Sequence, residues 1–181
     1  MIFNIVFSIF LGISSGASLI EKIQSDINLI VPGVGSEKII LKEESGVIIS
    51  AKGYPDSVSE FEETKEFFHH VFGIDSKFKI LFNKIYYYEK QKSVFFIHDN
   101  IITAIAGMTN NRITSDAIDL KKGIEYFIFG YGNNNLTVLA KSNDKNRDKI
   151  YLYPEDGIAV FDDGNDDIID LYIVFPVVKH E

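Results

Sequence analysis

The sequence predicts an α+β domain in which two helix-plus-three-strand-meander repeats form one antiparallel sheet, with the helices packed on one face. Three observations predict it. A strand cluster occurs twice in the same order and with similar spacing: Lys84–Tyr88, Val94–Ile97 and Asp99–Thr103, then Lys149–Tyr153, Ile158–Phe161 and Asp166–Asp170. The match extends upstream, where Leu41-Lys42 corresponds to Leu120-Lys121 and Gly53-Tyr54 to Gly130-Tyr131. A chain of 181 residues that is 46% hydrophobic is long enough for one core built from two such units.

The elements follow in order. Met1 to Asn4 leads into the apolar run Ile5–Ile13 and then into the small residues Ser14-Ser15-Gly16-Ala17-Ser18, the order of a secretory signal with a small-residue cleavage site. Residues 1–17 are therefore expected to be a signal peptide. An uncleaved membrane anchor and a buried first helix remain open alternatives, because the front end lacks Lys and Arg. Residues 18–181 form the expected single domain, with repeats at about 35–108 and 114–176.

Leu19, Ile20, Ile23, Ile27 and Ile30 recur at helical spacing, and Pro32-Gly33-Val34-Gly35 then breaks the chain. Ile39–Leu41 is a short apolar run. From Glu43 to Lys52, acids at the start, a Lys at the end and Gly53-Tyr54-Pro55 beyond match a helix whose dipole is complemented at both ends. Ser57–Val71 also reads as a helix, with Val58, Phe61, Phe68 and Val71 on one face and Glu60, Glu62, Glu63 and Lys65 on another. The counterpart of the Glu43–Lys52 helix in the second half is Ala117–Phe129, where Tyr126–Phe129 suits a strand equally well. The second half then carries a short strand, Leu136–Leu139, and a polar stretch up to Lys149.

Composition removes several function classes. Acidic residues outnumber basic ones by 26 to 18, and a net charge of −8 opposes binding to a phosphate backbone, so no nucleic-acid partner is expected. The absence of cysteine excludes disulfides, thiolate metal sites and a cysteine nucleophile. No nucleophile elbow and no phosphate-cradling glycine loop occurs, so no catalytic residue is assigned and no cofactor is expected.

A short apolar run, a helix, a Gly-Tyr-Pro stop and a three-strand meander resemble the unit of the SmpA/OmlA outer-membrane assembly lipoproteins. Two units in tandem resemble the β-lactamase inhibitor protein architecture. The carrying residues are Leu41, Gly53, Tyr54 and Pro55 with the strands from Lys84 to Met108, then Leu120 and Gly130-Tyr131 with the strands from Lys149 to Phe175. Position 132 is Gly where a second Pro would stand, and the Cys that would take a lipid is missing. The resemblance implies protein binding in an envelope or extracellular setting and brings no catalytic residues.

Three constellations are candidate sites. Tyr86, Tyr88, Tyr151 and Tyr153 alternate along two strands, so each pair shares a side; exposed, they make an aromatic platform for a protein, and facing the helices they are core. Glu62, Glu66, His69 and His70 form a carboxylate–imidazole group that could hold a divalent metal on a helix, although adjacent histidines diverge by about 100°. Asp162, Asp163 and Asp166 supply oxygen ligands in a segment that also has hairpin-turn chemistry. The expectation is an exported, non-catalytic protein-binding scaffold, periplasmic, outer-envelope or secreted, touching a membrane only through an uncleaved leader. The alternative is a metal- or small-ligand-binding protein, with or without enzymatic activity, using the Glu62/His70 or Asp162/Asp166 group.

Overall fold

The computed structural model describes residues 19–140, 148–166 and 168–177; the leader, 1–17, lies outside them. The described chain begins in helical backbone, α1 (19–25), and continues through β1 (Leu29–Ile30), β2 (Gly35–Ser36), β3 (Ile39–Ile40), α2 (Gly46–Lys52), β4 (Ser57–Glu66) and α3 (Phe67–Phe72). Then come β5 (Leu81–Tyr88), β6 (Ser93–His98), β7 (Ile101–Met108), β8 (Ile113–Thr114), a 3-10 turn (Leu120–Lys122) and α4 (Ile124–Tyr131). The last four strands are β9 (Thr137–Ala140), β10 (Lys149–Tyr153), β11 (Ile158–Asp162) and β12 (Leu171–Val174).

The fold is α+β. Eight strands make one sheet in the order β4-β5-β6-β7-β12-β11-β10-β9, antiparallel throughout, with β7 and β12 paired at its centre. Strand alternation sends apolar side chains to both faces, because runs such as Val94-Phe95-Phe96-Ile97 have no polar member. On the first face Ile48 of α2, Leu120 of the 3-10 turn and Phe127 of α4 pack with Tyr88, Phe95, Ile105, Tyr153, Val160 and Tyr172. On the second, Phe67 and Phe68 of α3 pack with Phe82, Phe96, Ile173 and Phe175. Helices therefore lie on both faces, which corrects the expectation of one covered face. A sheet that is apolar on both sides needs cover on both.

The largest local correction is at residues 57–71. Ser57–Glu66 is an edge strand paired with β5 and bulged between Glu60 and Lys65, and only Phe67–Phe72 is helical. Val58, Phe61 and Thr64 favour strand, the four glutamates and Lys65 favour helix, and pairing with β5, which satisfies the backbone, decides for the strand. Glu66 marks the switch: its backbone is extended, and its carboxylate accepts hydrogen bonds from Phe68 N at 3.2 Å and His69 N at 2.8 Å. Gly73, at φ 67°, closes α3.

Smaller differences have equally local causes. The first helix stops at residue 25, where the Asp26 side chain accepts from Asn28 N at 2.8 Å and turns the chain into β1. Gly123, at φ 83°, divides the expected 117–129 helix into the 3-10 turn and α4, and α4 is helical across Tyr126–Phe129. Asp166 and residues 168–170 form loop rather than strand, and β12 begins at Leu171. Gly53 and Gly132 follow α2 and α4 respectively, with φ 83° and 78°; each carbonyl accepts a tyrosine hydroxyl at 2.8 Å, Tyr88 on Gly53 and Tyr153 on Gly132. Gly132, and not Gly130, is the glycine that ends α4 in this way.

Candidate functional site

The four strand tyrosines face α2 and α4. Tyr86, Tyr88 and Tyr153 are buried, and Tyr151 is half-buried against the same core. They build no exposed platform, which corrects their assignment as a binding surface. Burial raises the Tyr153 phenol to about 12, with the Asp156 charge adding to it, and burial also raises Tyr88. Their hydroxyls anchor helix ends and are not available to a partner.

The Glu62, Glu66, His69 and His70 group does not converge. Glu62 is exposed on β4, Glu66 is committed to the α3 N-terminus, and His69 Nδ1 lies 2.9 Å from Asp75 Oδ1. His70 instead packs edge-on against Phe61 and Phe82, with ring centroids 5.0 and 5.5 Å apart. The strand at 57–66 removes the common helix face on which that metal reading depended.

The aspartate group is brought together in altered form. Ligand oxygens of Asp162, Asp163 and Asp170 all lie within 4.8 Å of one another, while Asp166 accepts from Ile168 N at 2.9 Å. Asp162 accepts from Gly164 N at 2.8 Å, and Asp163 N donates to Asp170 at 2.9 Å. Desolvation raises the Asp170 carboxyl above its ordinary range, the Asp163 backbone bond opposes the rise, and the neighbouring Asp163, Asp166 and Asp162 charges add to it. Asp170 stands just outside the run of carboxylates that the sequence singles out, and the return of β12 alongside β11 brings it in.

A second feature carries no motif at all. On the α3 side of the sheet, cross-strand partners Tyr87, Val94 and Ala106 continue an apolar row over β5, β6 and β7, and Met108, Leu171 and Phe161 form another over β7, β12 and β11. Six-residue α3 is too short to cover both rows. Between it and the sheet a groove of about 320 Å³ is lined by His70, Val71, Phe72, Tyr87, Val94 and Leu171 among others. Val71 and Met108 are each 44% exposed, and Tyr87, Val94 and Leu171 are half-buried, so this apolar wall meets solvent. A second hollow, of about 560 Å³, lies where the segment after α3 meets β9 and β10, between Asp75, Phe78, Leu139, Leu152 and Pro154.

The sequence also gave no sign of a buried ionic core on the first face. Glu37 sits at the β2–β3 turn, where it and Lys38 both have positive φ, 58° and 66°. Its carboxylate accepts from Lys52 Nζ at 2.9 Å, from the Tyr172 hydroxyl at 3.1 Å and from Arg112, and the Glu37 side chain is fully buried. Arg112 reaches on to the Ile27 carbonyl, tying the N-terminal segment to the sheet. The groups bonded to the Glu37 carboxylate come from the protein's own core, Lys52 from α2, Tyr172 from β12 and Arg112 from the segment before β8.

No helix among the described residues is long and apolar enough to cross a membrane. No family model matches the sequence, and no curated protein matches it. Among solved structures, the chain is similar to a DUF4309 family protein from Bacillus subtilis, at 15% identity and a TM-score of 0.46, over 88% of this chain and 97% of that one. It is also similar to a cysteine-rich secretory protein from Staphylococcus aureus, at 12% identity and a TM-score of 0.45, over 83% of this chain and 50% of the other, so it spans half of that protein's length. Likenesses this distant carry no argument about function.

Proposed function

We propose that this chain is an exported, non-catalytic protein-binding scaffold built from two related helix-plus-meander units, and that it binds through the apolar groove beside α3. The observation that carries the binding reading is that Tyr87, Val94 and Leu171, from two neighbouring apolar rows, stay half-exposed beside a helix too short to cover them. Duplication is supported by the mirrored strand order about the β7–β12 pair and by the matched Tyr88–Gly53 and Tyr153–Gly132 hydrogen bonds. The resemblance to the SmpA/OmlA unit and the β-lactamase inhibitor protein architecture belongs with that reading, and export rests on the leader sequence. A photo-crosslinking residue at Val71, compared with one at exposed Glu125 on the opposite side of the sheet, tests the groove in cell-envelope extract. A reproducible adduct from position 71 alone is expected; equal labelling from both positions, or none, counts against the groove.

A second reading, divalent-cation binding, is favoured by one separate observation, the close approach of the Asp162, Asp163 and Asp170 oxygens. Hard oxygen ligands at this spacing suit calcium. A calcium-dependent rise in melting temperature that disappears in Asp170→Asn is the expected signature, and no shift with the unaltered chain removes the reading.

A further inference from the structure

A strand at the rim of a sheet leaves one row of backbone N–H and C=O groups without a ladder partner, and folded proteins protect such rims with charges, bulges or cover. The two rims of this sheet are unlike in that respect. β4 carries Glu60, Glu62, Glu63, Lys65 and Glu66 and is bulged between Glu60 and Lys65. β9 is Thr137-Val138-Leu139-Ala140, uncharged, and runs in unbroken register along β10, from Ala140 opposite Lys149 to Thr137 opposite Leu152. Among the described residues β10 is its one strand partner, and no backbone hydrogen bond from a turn or loop reaches it.

The side chains of β9 are open as well. Thr137, Val138 and Ala140 are exposed, Val138 by 48%, and Leu139 is half-buried. Thr137 and Leu139 stand on the second face, opposite Leu152 and Ile150, where they line the hollow of about 560 Å³ together with Phe78 and Pro154. That hollow therefore reaches the outermost strand of the sheet. Val138 stands on the first face, opposite Tyr151. The rim thus presents apolar side chains on both faces beside an unpaired backbone.

We propose that β9 pairs antiparallel with β9 of a second copy of this chain, giving a dimer with one continuous sheet across a twofold axis normal to it. This surface is separate from the groove beside α3, and the inference does not depend on the groove. Charge, side-chain direction and the opposite rim together select a second copy. Two uncharged β9 strands meet without opposing like charges, which the glutamates would impose on a β4–β4 pair. A twofold axis normal to the sheet keeps each face on its own side: in a register centred on Val138, the two Val138 side chains meet on the first face, and Thr137 of each copy meets Leu139 of the other on the second. The two hollows then adjoin across the axis, and Val138 and Leu139 of both copies leave water together. The bulge and charges of β4 offer no complementary second edge, so the assembly closes at two copies instead of growing as a filament. The molecule already holds one antiparallel edge-to-edge junction of this kind, β7 against β12 at the centre of its sheet.

The test is sedimentation velocity of the full chain between about 5 and about 500 μM. The mass is expected to rise from one chain to two and no further. Raising the salt from about 50 to about 300 mM should tighten the dimer about threefold, because each copy carries a net charge of −8. Val138→Lys places a charge on the rim and should weaken the dimer about tenfold or more. Because the chain has no cysteine, Val138→Cys supplies a single thiol on β9 and Ser57→Cys a single thiol on β4. A short thiol-reactive crosslinker should join the first into dimers and leave the second as single chains. A mass of one chain throughout overturns the proposal and leaves the rim to a strand of another protein. Dimers of Val138→Lys as tight as those of the unaltered chain, or crosslinking through Ser57→Cys in place of Val138→Cys, put the contact elsewhere and overturn it too. Species larger than a dimer overturn the closed twofold pair. If Val138→Lys fails to fold, the two cysteine variants decide the question without it.

Discussion

Glu37 is the residue on which most of the buried polar chemistry converges. It takes hydrogen bonds from Lys52, Arg112 and Tyr172 inside the first core, while its own backbone sits at φ 58°. A positive φ on a non-glycine residue is sustained only where its surroundings hold it. Glu37→Gln leaves two buried cations undercompensated, and a loss of about 3–5 kcal/mol in denaturant unfolding is expected. Loss of under 1 kcal/mol would mean that water reaches the network. At Asp170 the effect has the opposite sign. Its folded-state pKa is raised, so the native state binds more protons than the unfolded state, and stability falls as pH rises from the ordinary carboxylate value of 3.8 through the raised one. Asp170→Asn should therefore raise the melting temperature at pH 7 in EDTA by about 1–2 °C and leave it unchanged near pH 3. A melting temperature lowered at pH 7 would show that the carboxylate is stabilising where it stands.

At the scale of elements, the decisive features are helix ends and turns. Gly53 and Gly132 follow α2 and α4 with positive φ and ψ near 180°, a region that only glycine occupies without strain. A Cβ at either position meets nothing within 4 Å, so the cost of Ala there is backbone strain alone, about 1–3 kcal/mol at each site. Tyr88→Phe and Tyr153→Phe remove the hydroxyls bonded to these two carbonyls and should each cost about 1 kcal/mol, measured by urea unfolding. A difference of several-fold between the two would argue against the equivalence of the two halves. Gly157 is a different case: a Cβ would lie 2.4 Å from Phe175 O and 2.5 Å from Gly33 Cα, so Gly157→Ala must part the β10–β11 turn from the β1–β2 turn. A loss of more than about 3 kcal/mol is expected, well above that at Gly53.

Elements also show where sequence reading reaches its limit. Ile85, Tyr86, Phe95 and Ile150 sit in runs rich in aromatic and β-branched residues, and strand propensity with pairing gives one answer there. In Ser57–Glu66 the apolar spacing fits a helix, and long-range pairing with β5 decides the matter instead. Glu66 reads from the sequence as a metal-ligand candidate inside a helix, whereas its role as a cap depends on a strand ending there. The groove had no signature because Tyr87, Val94 and Leu171 are ordinary strand residues; their exposure follows from how little sheet α3 covers. Asp162 and Asp163 were visible as carboxylates, whereas Asp170 joins them through the β11–β12 return.

For the whole molecule, the sheet carries two hydrophobic faces of unequal cover. The first holds α2, the 3-10 turn, α4 and the ionic core; the second is covered by α3 and the segment that follows it, which leave one hollow beside α3 and another against β9 and β10. An imbalance of this kind is a global property, since it depends on the lengths of elements drawn from distant parts of the chain. It ties the proposed binding function to the second face, where surface substitutions should alter partner capture without altering stability. Val71→Gln is expected to change the unfolding free energy by less than about 0.5 kcal/mol while removing the position-71 crosslink partner. A large stability loss with capture intact would place Val71 in the core and not in a binding groove.

The sequence by itself determined the class of fold and most of its strands, because alternation, aromatic content and glycine turns are local consequences of backbone sterics and solvent exclusion. It also determined the acidic surface charge and the absence of thiol chemistry. Tertiary structure alone decided which face each strand residue meets, that Ser57–Glu66 is a strand, that the four tyrosines pack in the core, that Asp170 joins Asp162 and Asp163, and that a groove opens beside α3. Those outcomes depend on pairings between residues far apart in the chain, and no local pattern encodes the partner.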